Sequence, residues 1–157
     1  MNQNPDLSSD HNSLDDQKMP CVKYSDLEMA MSFVSSGDMF DASAYVSRKT
    51  GKIYWESSEL DEEDDIPDDL DDISLYAGVP HQHDLDLGKR LVMRFTGQAM
   101  PDQYDQVAAI FRRSGAYSRY KELLHKNGLL EEWYKFENST IESALREWAN
   151  AEGFEVE

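Results

Sequence analysis

Three groups of side chains in this chain of 157 residues have types and spacings that can do chemistry. The first is the run ESSELDEEDDIPDDLDD at residues 56–72, in which eleven of seventeen residues are acidic and none is basic. Its densest part holds Asp61, Glu62, Glu63, Asp64, Asp65, Asp68, Asp69, Asp71 and Asp72. Carboxylates are hard ligands suited to Ca²⁺. An EF-hand loop, however, needs alternating Asp or Asn, a central Gly and a distal Glu, and this run has no Gly. Closely spaced carboxylates also imitate a phosphate backbone and can occupy the basic surface of a partner. Without such a partner, self-repulsion makes the run an extended, solvated loop.

The second group lies in FRRSGAYSRYKELLHKNGLLEEWYKFE, residues 111–137. Arg112, Arg113, Arg119 and Lys121 stand close in sequence to Tyr117 and Tyr120. Guanidinium forks bind phosphate bidentately, and aromatic rings stack on bases for about 1–3 kcal/mol each. Glu122, Glu131, Glu132 and Glu137 offer internal ion pairs instead, and Tyr120 and Trp133 fall at core spacing. A ligand site and internal pairing therefore both stay open.

The third is HQHD, with His81, His83 and Asp84, a donor set that zinc accepts and that a metal-dependent hydrolase would use. The i, i+2 spacing puts the imidazoles on opposite sides of an extended chain, and Asp84 more simply caps the helix that follows. Cys21 is the one cysteine, so no internal disulfide forms, and Lys23 is its one basic neighbour, too little to make a reactive thiolate. There is no G-x-S-x-G, no phosphate-cradling Gly loop and no H-E-x-x-H, so no cofactor is implied and binding is favoured over catalysis.

The charge constrains the partner. The net charge is -17, with -14 in residues 1–80 and -3 in residues 81–157. A field of this sign repels nucleic acid and anionic membranes and favours a basic protein surface, including that of a nucleic-acid-binding protein. Direct nucleic-acid binding is disfavoured by the same argument. No leader-like or membrane-spanning apolar run is visible, and the expected location is the cytoplasm.

The elements that must position these groups read as α+β in a single domain over residues 20–157, behind a mobile polar tail at 1–19. YSDLEMAMSFVSSG predicts a helix with a Ser25–Glu28 capping box, Leu27, Ala30, Met31 and Val34 inward, and Gly37 as terminator. Residues 40–46 and 53–55 flank Thr50-Gly51 as a hairpin, and ISLYAGVP adds a third antiparallel strand. The C-terminal half predicts four or five helices. One carries Leu85, Leu91, Val92 and Phe95 inward. The next starts at Pro101, with Tyr104, Val107, Ala108 and Phe111 inward and Arg112 and Arg113 in its last turn. A third carries Tyr117, Tyr120, Leu123 and Leu124. LLEEWYKF and STIESALREWANAEG then read as separate segments, the second opened by a Ser139–Glu142 capping box, with FEVE as an edge strand.

The stretch at 111–137, followed by ALREWANAEGF, resembles the uncharacterised bacterial protein family 0158. Its pattern is an aromatic, two basic or polar residues, Gly, then Arg-aromatic-Lys, a Leu-rich turn and Trp-Tyr-x-aromatic-Glu. Phe111, Gly115, Arg119, Tyr120, Lys121, Trp133 and Glu137 match it, and DLDLGKRLVMRF and YVSRKTGKIYW are similar upstream. The resemblance spans residues 24–156, with the acidic run as a variable insert. It implies one domain and carries no established activity.

Overall fold

A computed structural model describes residues 19–36, 41–58 and 66–157. The tail before residue 19, the expected terminator Gly37 and Asp61, Glu62, Glu63, Asp64 and Asp65 lie outside them. The elements are β1 (Cys21–Val22), α1 (Tyr24–Ser35), β2 (Ser43–Ser47), β3 (Ile53–Glu56), β4 (Tyr76–Gly78), α2 (Lys89–Ala99), α3 (Tyr104–Ile110), α4 (Ala116–Lys126), α5 (Leu130–Ala151) and β5 (Glu155–Val156). Short 3-10 turns at Gln82–Leu85 and Pro101–Gln103 precede α2 and α3. The chain is α+β, with a small antiparallel sheet in its first half and helices in its second.

The hairpin forms where period-2 patterning and a turn residue coincide. β2 pairs antiparallel with β3, Ala44 opposite Trp55 and Val46 opposite Ile53. β4 adds to the other edge of β2, Val46 opposite Ala77. Ala44, Val46 and Ala77 are buried on one face, against Leu27, Ala30 and Met31 of α1. Gly51 closes the turn at φ 79°, and a Cβ there would collide with the Cys21 carbonyl. Only Gly tolerates both conditions.

Hydrophobic residues separate into two clusters. One holds α1, the sheet, Leu87, Leu145, Ala149 and Phe154. The other holds Leu91, Val92 and Phe95 of α2, Val107, Tyr120, Leu124 and Trp133. A single helix serves both. The N-terminal part of α5 puts Trp133 and Phe136 into the helical cluster, and its C-terminal part puts Leu145 and Ala149 into the sheet cluster. At 22 residues, α5 runs for roughly 33 Å.

Several local expectations give way to this packing. α1 begins at Tyr24 with Lys23 at its N-cap and no side-chain cap, so the Ser25–Glu28 box does not form. The two segments expected at 130–153 are one helix, because both ends of a continuous apolar stripe find a cluster to enter. Ser139 is an exposed mid-helix residue and caps nothing. α3 stops at Ile110, leaving Arg112 and Arg113 just beyond it. Tyr104 and Tyr117, expected inward, are exposed. β5 pairs in parallel with β1, a strand that no sequence pattern announced. Glu157 donates its N–H to Val22 O at 2.9 Å, and Tyr24 donates to Glu157 O at 3.1 Å, latching the C-terminal strand to the entrance of α1.

The continuity of α5 has a direct test. At an N-cap, Ser139→Ala costs about 1 kcal/mol. Inside an exposed helical turn, Ala is instead the better former by up to about 0.5 kcal/mol. We expect S139A to leave stability equal or raised in urea titration, whereas a loss near the capping value would mean that the helix is broken there.

Candidate functional site

The acidic run re-enters the described residues at Ile66, and its Leu70 is buried. Asp68, Asp69, Asp71 and Asp72 are exposed. Their backbone is fixed by short-range bonds. Asp72 donates its N–H to Asp69 O at 3.0 Å, and its own carbonyl accepts from Leu75 and Tyr76 at 3.0 Å each. Asp72 Oδ1 accepts from Ser74 N at 3.0 Å and from Ser74 Oγ at 2.6 Å. These bonds hold the Asp72 carboxyl below its usual range. Tyr76 is pushed up, first by desolvation and then by the charge of Asp69. Ile73, directly after Asp72, is 83% exposed. Beside the segment, Asp41, Tyr45, Trp55, Glu56 and Asp68 line an open cleft of about 720 Å³.

Arg48, at the start of the hairpin turn, anchors this segment, and sequence reading gave it no role. Its Nε donates to Ile73 O at 2.8 Å. Its two terminal nitrogens donate to Glu152 O and Glu152 Oε2, each at 2.9 Å. One guanidinium thus joins the hairpin, the end of the acidic run and the C-terminal end of α5, where a cation complements the helix dipole. A lone arginine in a strand-like stretch has no periodic signature, so only its position between three elements reveals it.

Among the described residues the ion pairs are Arg48–Glu152, Arg90–Asp86 and Arg146–Glu142. None uses an aspartate of the acidic run. The second group of candidates behaves the same way. Arg112, Arg113, Arg119 and Lys121 are all exposed, and the internal pairs with Glu122, Glu131, Glu132 or Glu137 do not form. Nor do the four cations converge. The Arg119 guanidinium turns back to the Ser114 carbonyl, whereas Lys121 lies over the Tyr134 ring of α5, with its Nζ 5.7 Å from the centroid. Two helical positions apart, they face roughly 200° from each other.

Tyr120 leaves the list of ligand contacts, because it is 0% exposed. It packs edge-on against Trp133 at 5.1 Å and Phe111 at 5.6 Å. Tyr120 Oη and Trp133 Nε1 are buried without a hydrogen-bond partner. Burial pushes Tyr120 up to about 12; nearby Thr96 eases the shift and Glu137 adds to it. The Thr96 hydroxyl itself donates to Val92 O at 2.8 Å. Glu137 is pushed up by burial, against the pull of Lys121. Tyr117 keeps an exposed ring edge and is raised by burial and by Glu137.

The histidines do not straddle an extended chain. The 3-10 turn brings their rings onto one side, stacked at 4.7 Å. His81 Nδ1 accepts from His83 N at 3.0 Å, and Asp84 Oδ2 accepts from His81 N at 3.1 Å. Asp84 therefore caps the 3-10 turn from its third position, with His81 as the N-cap, and not α2 itself. Among the described residues no three His, Cys, Asp or Glu side chains are grouped to hold a metal ion. Cys21 Sγ donates to Glu157 Oε1 at 3.5 Å, and its thiol is pushed up by desolvation and by Glu157 and Glu155, which disfavours the nucleophilic thiolate.

No helix among the described residues is long and apolar enough to cross a membrane. No family model, curated protein or solved structure matches the chain.

Two outcomes follow from these contacts. Arg48→Ala should lower stability by about 1–3 kcal/mol in urea titration, since it removes three charge-assisted bonds of a partly exposed group. Arg48→Lys should recover little, because an ammonium cannot span the three acceptors. Tyr24 is pushed up to about 12, first by burial and then by Glu28 and Glu142, and Tyr120 likewise reaches about 12, from an ordinary 10.0. The folded state therefore holds both protons where the unfolded chain releases them. Their contribution is whole below pH 10.0 and is lost as pH rises toward about 12. Thermal melts over that window should show the decline, and Tyr120→Phe should flatten it while leaving neutral-pH stability equal or higher.

Proposed function

We propose that this chain is a non-enzymatic interaction protein whose acidic segment engages a basic surface on a macromolecular partner, in the manner of a polyanion mimic. The observation that carries this reading is that exposed Asp68, Asp69, Asp71 and Asp72 enter none of the ion pairs among the described residues. Their charge stays available to solvent and to a partner. The bonds made by Asp72, Ser74 and Arg48 support the reading further, since a segment already held in shape loses less entropy on binding. Asp61, Glu62, Glu63, Asp64 and Asp65, continuous with it in sequence, extend the proposed contact. Association driven this way is fast and sensitive to salt. Kinship with family 0158 and a cytoplasmic location belong to the same proposal, and neither supplies an activity.

The experiment is capture of basic proteins from the native cell at low and at moderate salt, with a variant carrying Asp68, Asp69, Asp71 and Asp72 as Asn. Proteins of high isoelectric point should be retained by the parent, released by moderate salt and lost by the variant, whose melting stays close to the parent's. Equal capture by parent and variant would refute the reading.

A further inference from the structure

The cations of this acidic chain are concentrated in one part of the fold. Residues 89–137 contain nine Lys and Arg against six Asp and Glu, a net of +3 within a total of -17. These residues build the helical cluster. On its surface Lys89, Arg90, Met93, Arg94 and Tyr104 line a shallow groove of about 410 Å³.

The electrostatics of this groove run against helix stability. Lys89 and Arg90 are the first residues of α2, whose first turn contains no acid. They stand at the positive end of the helix dipole, where anions are favoured and cations are not. Arg90 and Arg94 are four apart, a like-charge pair on one face, which is also unfavourable. Asp86 offsets part of this by bonding Arg90 at 3.1 Å, but that pair is 81% and 64% exposed and weak. Lys89 and Arg94 enter none of the ion pairs among the described residues. Arg94 is oriented by the Phe136 ring, 5.3 Å from its guanidinium carbon.

The fourth wall is aromatic. Tyr104 is 43% exposed. Its ring lies over Gly97, near enough that a Cβ there would stand 3.8 Å from the ring edge. A flat, half-open ring thus sits about two helical turns from Lys89 and Arg90, with Arg94 between.

We propose that this groove binds a small ligand carrying a chain of phosphates, with Lys89, Arg90 and Arg94 contacting phosphate oxygens and Tyr104 beside the far end. Such a ligand would relieve both the repulsion between Arg90 and Arg94 and the unfavourable charge at the start of α2. The proposal is independent of the acidic segment, and it places anion recognition on α2 instead of on residues 111–121.

The test is a ¹H–¹⁵N NMR titration at low salt with inorganic tripolyphosphate and, in parallel, with ATP. Saturable shifts centred on Lys89, Arg90, Arg94 and Tyr104 are expected. A Lys89→Ala, Arg94→Ala double variant should weaken binding roughly tenfold or more, while Arg112→Ala with Arg113→Ala should not. Arg90→Glu, a second surface change, should abolish it. Tighter binding of ATP that Tyr104→Ala reduces to the tripolyphosphate level assigns the groove to a nucleotide, and equal binding of the two assigns it to the phosphate chain alone. The absence of saturable shifts, shifts spread evenly over all cations, or affinity unchanged in folded Lys89/Arg94 and Arg90 variants would overturn the proposal.

Discussion

Everything else in this fold is placed by α5 lying in two hydrophobic clusters at once. Neither cluster is complete without it. Trp133 is the largest fully buried side chain and, with Phe95, Tyr120 and Phe136, makes the aromatic centre of the helical cluster. Three turns further on, Leu145 and Ala149 close the sheet cluster under α1. A helix of this length gains little from intrinsic propensity and most of its stability from the faces it buries. The parallel pairing of β5 with β1 then fixes the far end, and Arg48 holds that end to the hairpin through Glu152.

How much of this was legible follows from the range of each signal. The stripe Leu27, Ala30, Met31 in α1, the Val46–Ile53 hairpin about Gly51 and the Leu91, Val92, Phe95 face of α2 are local periodicities, and they fold as their spacing predicts, whereas Leu85, expected on the same stripe as Leu91, lies in the preceding 3-10 turn and packs on the sheet cluster. Breaks and caps are less decisive. Ser-x-x-Glu at Ser139 and Glu142 is compatible with an N-cap and equally with the exposed side of a helix, where Arg146 pairs with Glu142. Only the burial of Phe136 and Ile141 on either side decides, and burial is a tertiary fact. β1 and β5 are two residues each, too short to leave a pattern, and lie at opposite ends of the described chain.

The candidate sites divide along the same line. Charge density is a property of sequence, so the acidic run was visible at once, although its pinned geometry depends on Arg48, far from it in the chain. The cluster at 111–121 looked like a site because its residues are neighbours in sequence. In space Tyr120 is core, Arg119 folds over its own turn and Lys121 faces α5. The groove on α2 has the opposite history. Lys89, Arg90 and Arg94 are unremarked on a helix until the turn through Pro101 brings Tyr104 back over Gly97.

Charge separation is then a consequence of the scaffold. The described aspartates of the acidic run belong to the connection between β3 and β4, on the sheet cluster, and the excess cations belong to the helical cluster. If the two could meet, they would neutralise each other, as flexible chains of mixed charge tend to do. Among the described residues they do not pair: no ion pair uses an aspartate of the acidic run, and Asp72 is bonded within its own turn. The acidic connection therefore keeps its negative charge, while residues 89–137 keep a small net positive charge of mixed sign. Surfaces of this kind attract opposite charge from solution over about a Debye length, roughly 8 Å at physiological salt. The helix that completes the core thereby also carries the link between the acidic connection on one side and the cation-rich helices on the other.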